Sequence, residues 1–139
     1  TIRGAVSQLK EDIQPISTGK QIEREDMPQI PADKMSEFVS FLRGQSVNVY
    51  KRKVPLTSLK PSQNYIDTDK VMQLRKIGFD RLSDGPPILV SKDGYICDGH
   101  HRYYALGSID KLAKINVYVP DLSFDELKRD AEVFLTNPS

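Results

Sequence analysis

Five consecutive residues combine the chemistry of a phosphate site, Asp98-Gly99-His100-His101-Arg102. A glycine before a helix lets backbone N–H groups and the positive end of the helix approach an anion closely. Arg102 carries a fork of donors that suits phosphate, and the two histidines can donate hydrogen bonds. Asp98 can bind Mg²⁺ or accept a proton, which would make it the metal ligand and, with His100, a catalytic residue. The pattern is equally typical of a plain turn in which Asp98 caps the helix.

The elements around this segment predict how it is held. Residues 87–90 and 95–97 read as short strands joined by a hairpin at Lys92-Asp93-Gly94, and a helix is expected from Gly99 to about Leu106. Further helices are predicted from the spacing of Met35, Phe38, Val39 and Leu42, from an Asp67 or Thr68 cap, and from a capping box at residues 123–126. Strands are predicted at residues 47–54 and 113–119.

This order of elements predicts an α/β (α+β) fold, with a small mixed sheet and flanking helices. The 139 residues suggest residues 1–45 as an appended arm and helix, of which residues 1–21 are a polar arm, and residues 46–139 as the main domain. A net charge of +1 argues against a chain that wraps nucleic acid. The basic cluster Lys51-Arg52-Lys53 either contacts a nucleic-acid backbone or solvates the end of a strand. No membrane segment or signal peptide is evident, which favours the cytoplasm.

Two stretches resemble the conserved boxes of the ParB/sulfiredoxin superfamily. Residues 88–90, the Asp93-Gly94 hairpin and residues 96–106 are similar to the second box, and residues 54–63 are similar to the first. The resemblance covers roughly residues 50–120. It implies a domain that binds ATP or another nucleoside triphosphate or diphosphate with Mg²⁺. The binding residues it implies are Gly99, His100, His101 and Arg102 in the second box and Ser62 and Gln63 in the first. Of the tyrosines near this segment, Tyr103 is the best candidate to stack on the base.

Differences within the superfamily narrow the expected chemistry. Sulfiredoxins carry their catalytic cysteine at the position of His100, whereas Cys97 of this chain lies on the strand before the turn and reads as a small buried residue. Chromosome-partitioning ParB proteins have a DNA-reading module after the second box, where this sequence has about thirty residues. Neither sulfiredoxin chemistry nor a partition clamp is therefore expected.

The string Asp-Gly-His-His-Arg is similar to that of the free serine kinases of the superfamily. This implies phosphotransfer or nucleotide hydrolysis, although those kinases have an acid in the first box where this chain has Ser62-Gln63-Asn64. The base would then be Asp98, Asp67 or Asp69. The sequence also resembles compact ParB-like nucleases of bacteriophages, which would act in the host cytoplasm. A metal-dependent DNA nuclease or DNA-binding accessory, and a non-catalytic phage assembly module, therefore stay open as alternatives, and whether the chain is an enzyme is left undecided.

Overall fold

The computed structural model describes residues 13–15 and 19–136. The strands are β1 (Ile13–Pro15), β2 (Val49–Pro55), β3 (Tyr65–Asp67), β4 (Ile88–Val90), β5 (Ile96–Asp98) and β6 (Lys114–Pro120). The helices are α1 (Met35–Gly44), α2 (Thr68–Arg75), α3 (Phe79–Asp84), α4 (His100–Ile109) and α5 (Phe124–Thr136). Single 3₁₀ turns occur at Arg24–Asp26, Ala32–Lys34 and Leu56–Ser58.

Four strands form the main sheet, in the order β2-β6-β4-β5. The pairs β2–β6 and β4–β5 are antiparallel, and β4–β6 is parallel. A separate two-stranded antiparallel sheet joins β1 to β3. The α/β class and the small mixed sheet with flanking helices are therefore confirmed.

Strand β6 separates two clusters of buried side chains. Ile115 and Val117, on one face of the strand, pack with residues of α2, α3 and α4. Tyr118 points to the other face and packs with residues of α1 and α5. The sheet is thus covered by helices on both faces at β6, as the alternation of apolar residues in this strand requires.

Residues before position 45 contribute to the second cluster. Met27, Ile30, Phe38 and Leu42 are buried there together with residues of β4, β5 and α5. The predicted division at residue 45 remains a prediction about domain organisation, and the two parts share this cluster. Most of the predicted polar arm, residues 1–12 and 16–18, lies outside the described residues.

Local sequence signals account for several element boundaries. The Asp67 carboxylate caps α2 by accepting the backbone N–H groups of Asp69 and Lys70. Ser123 and Glu126 form the reciprocal capping box of α5. Helix α3 was not predicted, because only Phe79 and Leu82 mark its single short stripe and the turn at residues 84–86 follows at once. In the part of the chain that the structure covers, no helix is both long enough and apolar enough to cross a membrane.

Candidate functional site

The predicted turn between strand and helix lies where the sequence indicates. Strand β5 ends at Asp98, Gly99 adopts a φ of 110°, and α4 begins at His100. A Cβ atom at position 99 would come within 2.5 Å of the Ile88 Cβ atom on the neighbouring strand. Only glycine fits both the left-handed backbone and this close approach. No side chain caps the N-terminus of α4.

His100 points into the protein interior. Its Nε2 atom accepts the backbone N–H groups of Ser62, at 3.0 Å, and of Gln63, at 3.2 Å. An accepting Nε2 must be unprotonated, so the proton of the neutral ring is on Nδ1. Burial, reinforced by the neighbouring His101, lowers the pKa of His100 to about 3. This imidazole is therefore neutral and joins the two predicted boxes.

His101 makes a second connection to the same region. Its Nε2 atom accepts the backbone N–H of Asp67 at 3.0 Å, just where β3 ends and α2 begins. The Asp67 carboxylate is itself occupied as the cap of α2. Both histidines of the predicted phosphate segment thus use Nε2 to bind backbone amides of the chain.

The two first-box residues that were expected to bind ligand are buried. The Ser62 hydroxyl donates to the Ile96 carbonyl, and the Gln63 side-chain amide donates to the Tyr65 carbonyl. Their exposed fractions are 0% and 2%, respectively. In the structure, both side chains therefore bind carbonyl groups of the chain and are shielded from a ligand.

A cleft of 730 Å³ opens beside the turn. Three residues of the predicted segment line it, Asp98, Gly99 and Arg102. Its apolar wall is built by residues before and at the start of α1, in α2 and α3 and the turn between them, and between α3 and the start of β4, namely Ile30, Ala32, Met35, Leu74, Ile77, Leu82, Pro86, Pro87 and Ile88. Its other charged lining residues are Asp80, Arg81 and Asp84. A cleft of this size, largely apolar with a few charged groups, is typical of a small-molecule site.

Arg102 lies at the C-terminal end of α3. Its guanidinium donates to the carbonyls of Leu82, at 3.0 Å, and Pro86. The Leu82 carbonyl is in the last turn of α3 and that of Pro86 lies just beyond it, where a cation is favoured by the helix dipole. A guanidinium has five N–H donors, so these two bonds leave donors for a ligand in the cleft.

Asp98 connects the cleft to the segment that precedes α1. Its Oδ2 atom accepts the backbone N–H of Ile30 at 3.2 Å. Burial raises the pKa of Asp98 to about 6, although the N–H groups of Ile30 and Gly99 act in the opposite direction. The carboxyl group is therefore mostly ionised at neutral pH and can accept a proton within one unit of that pH.

Tyr103 lies away from this cleft. It lines a second, smaller cleft of 390 Å³ with Leu56, Tyr104 and Lys111 among its neighbours, and its ring packs edge-on against that of Tyr104 at 5.0 Å. A base stacked on Tyr103 would consequently be in a different cleft from Asp98 and Arg102.

The sequence-predicted residues are thus divided among three environments. Asp98, Gly99 and Arg102 share the large cleft, and Tyr103 lines the small cleft. The two histidines bind backbone N–H groups, His100 those of Ser62 and Gln63 and His101 that of Asp67. Sequence reasoning missed the apolar wall. The stripe formed by Leu74 and Ile77 on the predicted second helix was its only local signal.

The described residues contain no cluster of three or more histidine, cysteine, aspartate or glutamate side chains that could hold a metal. Mg²⁺ commonly takes one or two carboxylates and completes its shell with water and phosphate oxygens, a donor set that Asp98 could join. No protein-family model, curated protein or solved structure matches this chain. The resemblance to the ParB/sulfiredoxin superfamily therefore remains a prediction.

Proposed function

We propose that this chain binds a nucleoside triphosphate or diphosphate with Mg²⁺ in the 730 Å³ cleft and transfers or hydrolyses its terminal phosphate. The observation that carries the proposal is the convergence of Asp98, Gly99 and Arg102 on one cleft that also has a large apolar wall. Anion donors and an apolar surface in one cleft match the two halves of a nucleotide.

The phosphates would bind at the Gly99–Arg102 end. The uncapped N-terminus of α4 supplies backbone N–H groups and a positive dipole there, and the spare donors of Arg102 supply a formal charge. The base would lie against the wall that contains Ile30, Met35 and Ile77. These interactions require no hydrogen bond from either histidine.

Asp98 is the residue that we assign to the chemical step. As a carboxylate it could hold Mg²⁺ or accept the proton of an attacking hydroxyl or water. Mg²⁺ would offset the negative charge of the phosphates. That requirement is strengthened by Asp80 and Asp84, because both also line the cleft and oppose a free anion. Binding is therefore expected to depend on Mg²⁺.

A thermal-shift screen with ATP, ADP, CTP and GTP, with and without Mg²⁺, tests binding, and calorimetry then measures the affinity. Ile77→Glu places a negative charge on the apolar wall and should weaken binding at least tenfold. Ile109→Glu is the matched control, since Ile109 is similarly exposed, 39% against 45%, and does not line the cleft. If none of the four nucleotides binds at millimolar concentration, the proposal is wrong.

Catalysis is tested separately with Asp98→Asn. We expect this variant to release no phosphate above background. It should still bind nucleotide if Asp98 acts only as the proton acceptor, and bind it more weakly if Asp98 also holds Mg²⁺. Binding by the wild-type chain without any turnover would favour the non-catalytic alternative. The nuclease alternative has less support, because His100, which it would use against a phosphodiester, is only 3% exposed and accepts two backbone N–H groups.

A further inference from the structure

Strand β2 lies at one edge of the main sheet and pairs only with β6 among the described residues. The backbone N–H of Leu56 donates to the backbone carbonyl of Ala113, and the N–H of Asp121 donates to the backbone carbonyl of Asn48. Both bonds follow the β2–β6 register, so the bonded pairs recur at every second residue between them. Tyr50, Arg52 and Val54 therefore direct their backbone groups to β6, and the residues between them direct theirs outward.

The outward groups are occupied at both ends of β2. The carbonyl of Val49 accepts from the Arg43 guanidinium at 2.9 Å, and the carbonyl of Pro55 accepts from the Ser58 hydroxyl at 2.7 Å. Between these ends, the N–H and C=O groups of Lys51 and Lys53 have no partner among the described residues. These four groups form a short open edge of the kind to which another strand can be added.

The side chains along this edge are exposed and basic. Residues 50–53 are exposed on both faces of the strand. Alternation places Lys51 and Lys53 on one face, and Tyr50 and Arg52 on the other, where the Arg52 guanidinium lies 5.0 Å from the centre of the Tyr50 ring. Lys53 forms an exposed ion pair with Asp84, and Lys51 and Arg52 form no ion pair with a described residue.

We propose that the open edge of β2 docks an extended acidic segment of a partner protein as a fifth strand of the sheet. Side chains of an added strand also alternate between the two faces, so consecutive acids could meet Lys51 on one face and Arg52 on the other. A nucleic-acid backbone approaching from one side would meet only part of this charge. A second copy of the chain would bring like charges together.

The probe is a fluorescent, capped peptide, Thr-Val-Glu-Asp-Glu-Val-Thr, and its binding to the whole chain is followed by anisotropy. Lys51→Glu and Arg52→Glu should each weaken binding at least tenfold. Arg129→Glu is the matched control, because it makes the same charge change at an exposed position on α5 and should alter binding less than twofold. Thermal denaturation of each variant verifies that it is folded.

Two further measurements separate strand addition from simple attraction of charge. Peptide binding should slow hydrogen exchange of the Lys51 and Lys53 amides and leave the Arg52 amide, already bonded to β6, unchanged. The same peptide with its three central amides N-methylated should bind at least tenfold more weakly. Equal binding of the methylated peptide, unchanged exchange, or no binding of the probe would overturn the proposal. So would tighter binding of a single-stranded thymidine oligonucleotide, or a dimer in ultracentrifugation that protects Lys51.

Discussion

The Nε2 atom of His100 lies 3.0 Å from the backbone nitrogen of Ser62, a residue 38 positions earlier in the chain. The same atom accepts the N–H of Gln63, so one imidazole holds the start of α4 against the segment before β3. A histidine in a segment predicted to bind phosphate therefore binds main-chain donors of the protein. Its replacement should affect the stability of the fold before it affects any chemistry.

Replacing His100 with alanine should lower the free energy of unfolding by about 2–4 kcal/mol, because two buried N–H groups would lose their acceptor and a cavity would remain. His100→Gln should cost less, since the side-chain oxygen of glutamine can take the position of Nε2. Urea denaturation of the three proteins measures the difference. An alanine variant within about 0.5 kcal/mol of wild type would contradict the structural role of this ring.

Two buried groups near the turn should give opposite pH dependences of stability. The pKa of His100 is lowered from 6.5 to about 3, so only the unfolded chain takes up this proton between those values and acid favours unfolding. The pKa of Asp98 is raised from 3.8 to about 6, so the folded chain takes up its proton first and acid favours folding. Each group changes the free energy of unfolding by about 1.4 kcal/mol per pH unit. The two contributions have opposite signs and nearly cancel around pH 5.

Variants at the two positions should therefore diverge from wild type in opposite directions on acidification. Relative to wild type, the free energy of unfolding of Asp98→Asn should fall by about 1.4 kcal/mol for each pH unit from pH 6 to pH 4. His100→Gln should gain a similar amount relative to wild type over the same interval. Urea midpoints at pH 6, 5 and 4 give both differences. If the stability of a variant changed with pH in parallel with that of wild type, the replaced residue would have the same pKa in the folded and unfolded chain.

Local signals explain which parts of the fold and the site could be predicted. The Asp67 cap, the Ser123–Glu126 capping box and the Gly99 turn each depend on residues within about four positions of one another. The bond from Ser62 to His100 and the bond from Ile30 to Asp98 join distant segments, and no local pattern encodes them. The local signals therefore predicted the turn from β5 through Gly99 into α4, but they did not indicate that its two histidines bind backbone groups of the chain.

The turn itself should tolerate no side chain at position 99. Gly99→Ala combines a strained backbone at φ 110° with a contact of 2.5 Å to Ile88, and should cost about 3 kcal/mol or more. Gly44→Ala is the control, because a Cβ there meets no atom within 4 Å and the residue ends α1. That change should be neutral or stabilise the chain by up to about 1 kcal/mol. Similar melting temperatures for the two variants would be evidence against the close approach of Gly99 to β4.

The thiol of Cys97 should be unreactive in the folded chain. It is 1% exposed on β5, and burial, assisted by the charge of Asp98, raises its pKa well above the ordinary value. The thiolate is the reactive species, so Ellman's reagent should modify the native protein on the order of 10³-fold more slowly than the chain in guanidinium chloride. Because the unfolded chain exposes one cysteine, it should release one equivalent of chromophore at once. Comparable rates for native and unfolded protein would mean that β5 opens readily. Cys97 would then be a candidate reactive residue beside Asp98.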